Sequence, residues 1–67
     1  MANTKTTNSG TIVRIAGPVI DVYFPGELPE IYEALTIDLP NKQKLTLEVQ
    51  FETGDHEVKT IAFGPIS

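Results

Sequence analysis

Between Lys44 and Phe51 the chain alternates without a break. Leu45, Leu47, Val49 and Phe51 are apolar, and Lys44, Thr46, Glu48 and Gln50 between them are polar. Successive side chains on an extended strand point to opposite faces, so this run predicts a strand with one dry and one wet face. Its neighbours carry strand composition too. Thr11 to Ile15 is β-branched apart from Arg14, and Gly17-Pro18 then forces a turn or bulge. Val19 to Phe24 follows as a second strand, with Ile20, Val22 and Phe24 on one face and Val19, Asp21 and Tyr23 on the other. Pro25-Gly26-Glu27-Leu28-Pro29 reads as a loop, because two prolines and a glycine leave little backbone for a ladder. A third strand is expected over Tyr32 to Leu39, with Leu35 and Ile37 pointing one way, and Pro40 to Gln43 as a polar turn. Thr53-Gly54-Asp55 supplies another turn, and Glu57 to Phe63 a fifth strand. The one helical candidate, Glu30 to Leu35, is no longer than a turn. Turn signals at this spacing predict an all-β chain: a small antiparallel barrel, closed or partly open, of five to six short strands. Met1 to Ser9 is expected to be a disordered polar arm, and residues 10–67 the barrel domain.

Sixty-seven residues make one domain at most. A domain of this size buries only about 60% of the surface its unfolded chain exposes, so its core is marginal. The usual remedies of small chains are disulfides, a metal or a partner. The chain has no cysteine, and its single histidine, His56, cannot build a zinc site without carboxylate help. A partner, or further chain, is the expected source of added stability. Nine acidic residues against five basic ones give a net charge of −4. That balance opposes nucleic-acid binding, which needs a cationic face to displace counterions, and it disfavours an anionic membrane surface. No apolar run approaches the ~20 residues that cross a bilayer. Met1 to Ser9 has neither the apolar core of a secretory signal nor the arginines of a mitochondrial presequence, so an intracellular protein is expected.

The residues that could carry chemistry do not assemble into a site. The glycines stand singly, at positions 10, 17, 26, 54 and 64, and none opens a phosphate-binding loop followed by Lys-Ser or Lys-Thr. Asp21 stands out because its strand is otherwise apolar; it is expected on the wet face or accepting backbone hydrogen bonds near Gly17-Pro18. No spacing pairs it with Asp38, Glu48 or Asp55 for acid–base work. His56 beside Asp55 reads as a solvated turn residue, and the serines, Ser9 and Ser67, stand at the ends of the chain. Tyr23, Phe24, Tyr32, Phe51 and Phe63 are not interleaved with basic residues, so core packing is expected for most of them rather than base stacking. Arg14, Lys42, Lys44 and Lys59 read as partners for charges on neighbouring strands or subunits. The one partner-facing element is Pro25 to Tyr32, where Leu28, Ile31 and Tyr32 are large and apolar in a segment its prolines expose.

Four stretches in this order carry a family resemblance. Gly10 to Phe24, with Gly17-Pro18-Val19 and Asp21-Val22 at its centre, comes first. Leu28-Pro29-Glu30-Ile31-Tyr32 with Ala34-Leu35, then Leu47-Glu48-Val49-Gln50, then Thr60-Ile61-Ala62 follow. Together they resemble the N-terminal barrel of the catalytic beta subunit of the rotary, F-type ATP synthase. The resemblance implies a non-catalytic crown domain that holds a hexameric ring together, with the alpha subunit and other beta copies as partners. It implies no catalytic, cofactor-binding or metal residue in this segment; ATP or ADP and Mg2+ belong to the parent subunit, beyond a further closing strand. The parent would couple ATP synthesis or hydrolysis to ion flow, without itself inserting in the membrane. It would lie in the cytoplasm on the inner face of a bacterial membrane, ahead of a chloroplast stroma. The alternative is a free-standing small β-barrel that grips a protein through its exposed loop. A nucleic-acid-binding barrel and an enzyme rank below both.

Overall fold

The alternating run forms the longest strand of the molecule, and the others assemble around it. The computed structural model describes residues 8–65, so most of the expected N-terminal arm lies outside the described residues. Five strands succeed one another: β1 (Thr11–Ala16), β2 (Val19–Tyr23), β3 (Ala34–Asp38), β4 (Lys44–Gly54) and β5 (Glu57–Pro65). A single 3-10 turn, Pro40–Lys42, joins β3 to β4. All pairings are antiparallel, in the order β1-β2-β5-β4-β3. The sheet is therefore a half-barrel whose two edges, β1 and β3, are not paired to each other.

Ile20, Val22 and Phe24 point to the core face, as their alternation predicts, and meet Leu47, Val49 and Val58 there. Leu28, Leu35, Ile37, Leu45 and Ala62 pack around this cluster. Thr60 is fully buried in the same layer, and its hydroxyl donates to the Ile20 carbonyl at 2.8 Å, which removes the cost of burying it. Between β1 and β3 the curled sheet leaves a cleft of about 400 Å³, with Ile12 on one wall, Leu35 and Ile37 on the other, and Val22, Phe24 and Leu47 along it.

Several boundaries differ from expectation for identifiable reasons. The third strand begins at Ala34, not Tyr32, because Tyr32 adopts φ 70°, outside the strand region. Its backbone still follows β4: Tyr32 N–H donates to the Val49 carbonyl at 2.7 Å, and Val49 N–H donates to the Glu33 carbonyl at 3.0 Å. The β4–β5 turn falls one residue later than expected. Gly54 pairs with Glu57, and the two residues between, Asp55 and His56, both have positive φ (55° and 62°), as a tight hairpin matched to strand twist requires.

The expectation of buried aromatics fails for most of them. Phe24 is buried, but Tyr23, Tyr32, Phe51 and Phe63 are exposed. Phe51 is the instructive case. Val49 lies opposite Thr60 and Phe51 opposite Lys59, so β4 advances two residues while β5 advances one. That bulge reverses the phase of the alternation and turns Phe51, 49% exposed, onto the outer face.

Candidate functional site

Two features of the structure could matter to function: a charged row on the outer face of the sheet and the loop between β2 and β3. Register explains the row. Asp21 on β2 lies directly opposite Lys59 on β5. On the other side, β1 carries an extra residue between Ile12 and Arg14, so Ile12 faces Val22 and Arg14 faces Asp21. Without that bulge, Val13 would sit across from Asp21 and Arg14 would turn to the core face. The bulge delivers the guanidinium to the carboxylate.

Asp21 is only 3% exposed although it lies on the outer face. The outer face is where its place in the sequence predicts it, but there it is covered, and its hydrogen bonds come from side chains rather than from backbone amides. Lys59 Nζ donates to Asp21 Oδ1 at 2.9 Å, and Arg14 Nη1 donates to Asp21 Oδ2. Long basic side chains cover a small acid with their stems while their heads satisfy its oxygens. The hydrogen bond from Lys59, then that from Arg14, holds the Asp21 carboxyl below the usual aspartate range against the opposing effect of burial. The same hydrogen bond, with the nearby Asp21 charge, raises the pKa of Arg14. Glu57 Oε1 stands 3.7 Å from Arg14 and adds a weaker attraction. Lys44 pairs with Asp38 at the far edge, where both side chains are largely solvated. Charge pairing across strands or subunits is the expectation for Arg14, Lys42, Lys44 and Lys59; Arg14, Lys44 and Lys59 pair across strands, and Lys42 has no ion pair among the described residues.

The β2–β3 loop separates the three residues expected at a contact surface. Leu28 turns inward and packs against the core cluster, beside a buried Pro29. Ile31 and Tyr32 remain outside, 43% and 71% exposed. They are held rather than loose: Glu33 N–H donates to the Glu30 carbonyl at 3.0 Å, Glu30 N–H to Glu33 Oε1 at 2.9 Å, and Tyr32 N–H to β4. A bulky residue at positive φ persists only where its surroundings over-determine it. The loop thus presents an aromatic ring to solvent from a fixed base.

The two basic residues of the row are engaged by Asp21, and among the described residues the cleft has no lysine or arginine in its wall. A nucleotide needs a cluster of cations or a loop of free backbone amides at a helix start, and among the described residues neither the row nor the cleft provides one. Among the described residues no three His, Asp or Glu side chains gather closely enough to hold a metal ion. His56 is exposed on its turn, its ring 6.3 Å from that of Tyr23 and tilted by 64°.

A five-stranded antiparallel half-barrel with these motifs can now be compared with known families. The family model described as the ATP synthase alpha/beta family, beta-barrel domain, matches residues 12–67. The chain belongs to that family. As a barrel of the ATP synthase alpha/beta family it carries the Gly17-Pro18 turn, the Asp21 row and the β4–β5 hairpin inside the matched region.

Proposed function

We propose that this domain is the N-terminal barrel of a beta-type subunit of a rotary ATP synthase, and that its work is assembly. It packs against the barrels of alpha-type neighbours and helps close a hexameric ring, while nucleotide and Mg2+ bind elsewhere in the parent subunit. The parent would then couple ATP turnover to ion flow from the inner face of a bacterial membrane. The observation that carries this reading is the Ile31–Tyr32 knob. A small acidic domain of this family holds two large apolar side chains out in water on a hydrogen-bonded base. Exposed apolar groups on a fixed base are what a protein contact uses, since little ordering entropy remains to be lost on binding.

The test is co-assembly with an alpha-type subunit, followed by chemical cross-linking, for the native chain and an Ile31→Ser/Tyr32→Ser variant. The native chain is expected to cross-link to its neighbour, and the variant to lose most of that product with little change in melting temperature. Equal cross-linking would remove the knob from the interface. Stable capture of an unrelated protein, with no affinity for alpha-type subunits, would favour the free-standing binding module instead.

A further inference from the structure

Among the described residues, the six that form the buried apolar core lie on β2, β4 and β5 and, for Phe24, just after β2. None lies on β1. Every residue of β1 is exposed, Ile15 to 64%, and the strand has a single neighbour because it forms one edge of the sheet. Its ladder to β2 is interrupted by the bulge at Val13. It joins β2 through Gly17, whose φ of 62° glycine adopts without strain, while the next residue, Pro18, stays anchored to β5 through its carbonyl, which accepts from Ala62 N–H at 2.8 Å. Segments with few buried apolar contacts and exposed backbone bonds are the ones that open locally, ahead of the global fold.

One side-chain tie opposes that opening. Among the described residues, the only hydrogen bond from a β1 side chain is the one Arg14 donates to Asp21. The charged groups facing Asp21 are Arg14 from β1 and Lys59 from β5, with Glu57 of β5 close to Arg14. If β1 leaves, Asp21 keeps Lys59 at 2.9 Å and gains water, so departure strands no buried charge. If Asp21 loses its charge, Arg14 keeps only Glu57, at 3.7 Å.

We propose that β1 is a strap able to leave the sheet as a unit, and that the Asp21 carboxylate is the latch that holds it down through Arg14. The four-stranded remainder, β2-β5-β4-β3, keeps the core intact while the strap is open.

Amide hydrogen exchange of the 67-residue chain, resolved residue by residue by NMR at neutral pH, tests this. In Asp21→Asn the β1 amides that donate to β2 are expected to exchange about tenfold faster. Those of Val49, Val58 and Thr60 should stay within about twofold of the native chain. Equal acceleration in every strand would overturn the proposal, because Asp21 would then support the whole fold. Unchanged β1 rates would overturn it as well, leaving the backbone ladder as the only restraint. Should Asp21→Asn fail to fold, Arg14→Gln removes the solvated end of the tie without touching the core. The same β1-selective acceleration is expected there, with restoration by Arg14→Lys. Native β1 rates in Arg14→Gln would refute the latch on their own.

Discussion

Asp21 shows how one side chain ties folding to pH. Its carboxyl is held below the ordinary aspartate value by Lys59 and Arg14, so the native state favours the ionised form more than the unfolded chain does. The stability this contributes is fully present above the unfolded value of about 3.9 and is lost as pH falls through the depressed native value. We therefore expect the urea midpoint of the native chain to fall from about pH 5 downward more steeply than that of Asp21→Asn. Parallel curves would mean the charge row is energetically idle. Gly10 makes a second residue-scale point. A Cβ placed there would lie 2.8 Å from the Phe24 ring and 2.8 Å from the Tyr23 carbonyl oxygen. One of those neighbours is backbone and cannot swing aside. Gly10→Ala is expected to cost about 1–3 kcal/mol in a chemical denaturation series, as overpacking does. A midpoint equal to that of the native chain would show that the N-terminal segment does not press on Phe24.

At the scale of elements, how far the sequence could be read depended on where pairing stays in phase. β2 and the first half of β4 keep strict alternation, and there Ile20, Val22, Leu47 and Val49 fall on the core face as their pattern predicts. Phe51 breaks the forecast because the bulge after Val49 depends on the partner strand, which the local pattern of β4 does not encode. The same holds for Asp21. Its place in an apolar strand marked it as unusual, but its partners come from two strands, and Arg14 reaches it only because β1 bulges at Val13. A hint was present in Thr11 to Ile15, where Ile12 and Arg14 would share a face in a regular strand. The loop was half legible: its prolines expose Ile31 and Tyr32, whereas Leu28 found room against the core. A paired substitution tests the β4 assignment. Leu47→Asp places an unpaired charge on a position 1% exposed, at a cost of about 3–5 kcal/mol. That is comparable with the roughly 3–10 kcal/mol total expected of a domain this size, so circular dichroism should find the variant unfolded. Lys44→Glu alters only a solvated pair with Asp38, and its melting temperature should barely change. Equal tolerance of both would contradict the two-faced strand.

As a whole molecule, the domain is an incomplete enclosure. Among the described residues six buried apolar ones form its core, and the edges β1 and β3 are not paired to each other across the cleft. Ile12, Val13, Ile15, Phe51 and Phe63 add exposed apolar surface beyond the Ile31–Tyr32 knob. A marginal core with this much apolar surface in water gains stability from anything that binds the folded form. That agrees with the assembly role proposed for this barrel of the ATP synthase alpha/beta family. The family resemblance was readable because Gly17-Pro18-Val19, Asp21-Val22 and the later strand motifs occur in order; which surface meets a neighbour depends on how the sheet curls. Sedimentation velocity of the chain with and without an alpha-type subunit tests the assembly role most directly. The chain is expected to join a larger complex with that subunit, and its melting temperature to rise as the subunit is added. A stable monomer that sediments unchanged beside the alpha-type subunit, at every concentration tried, would contradict it.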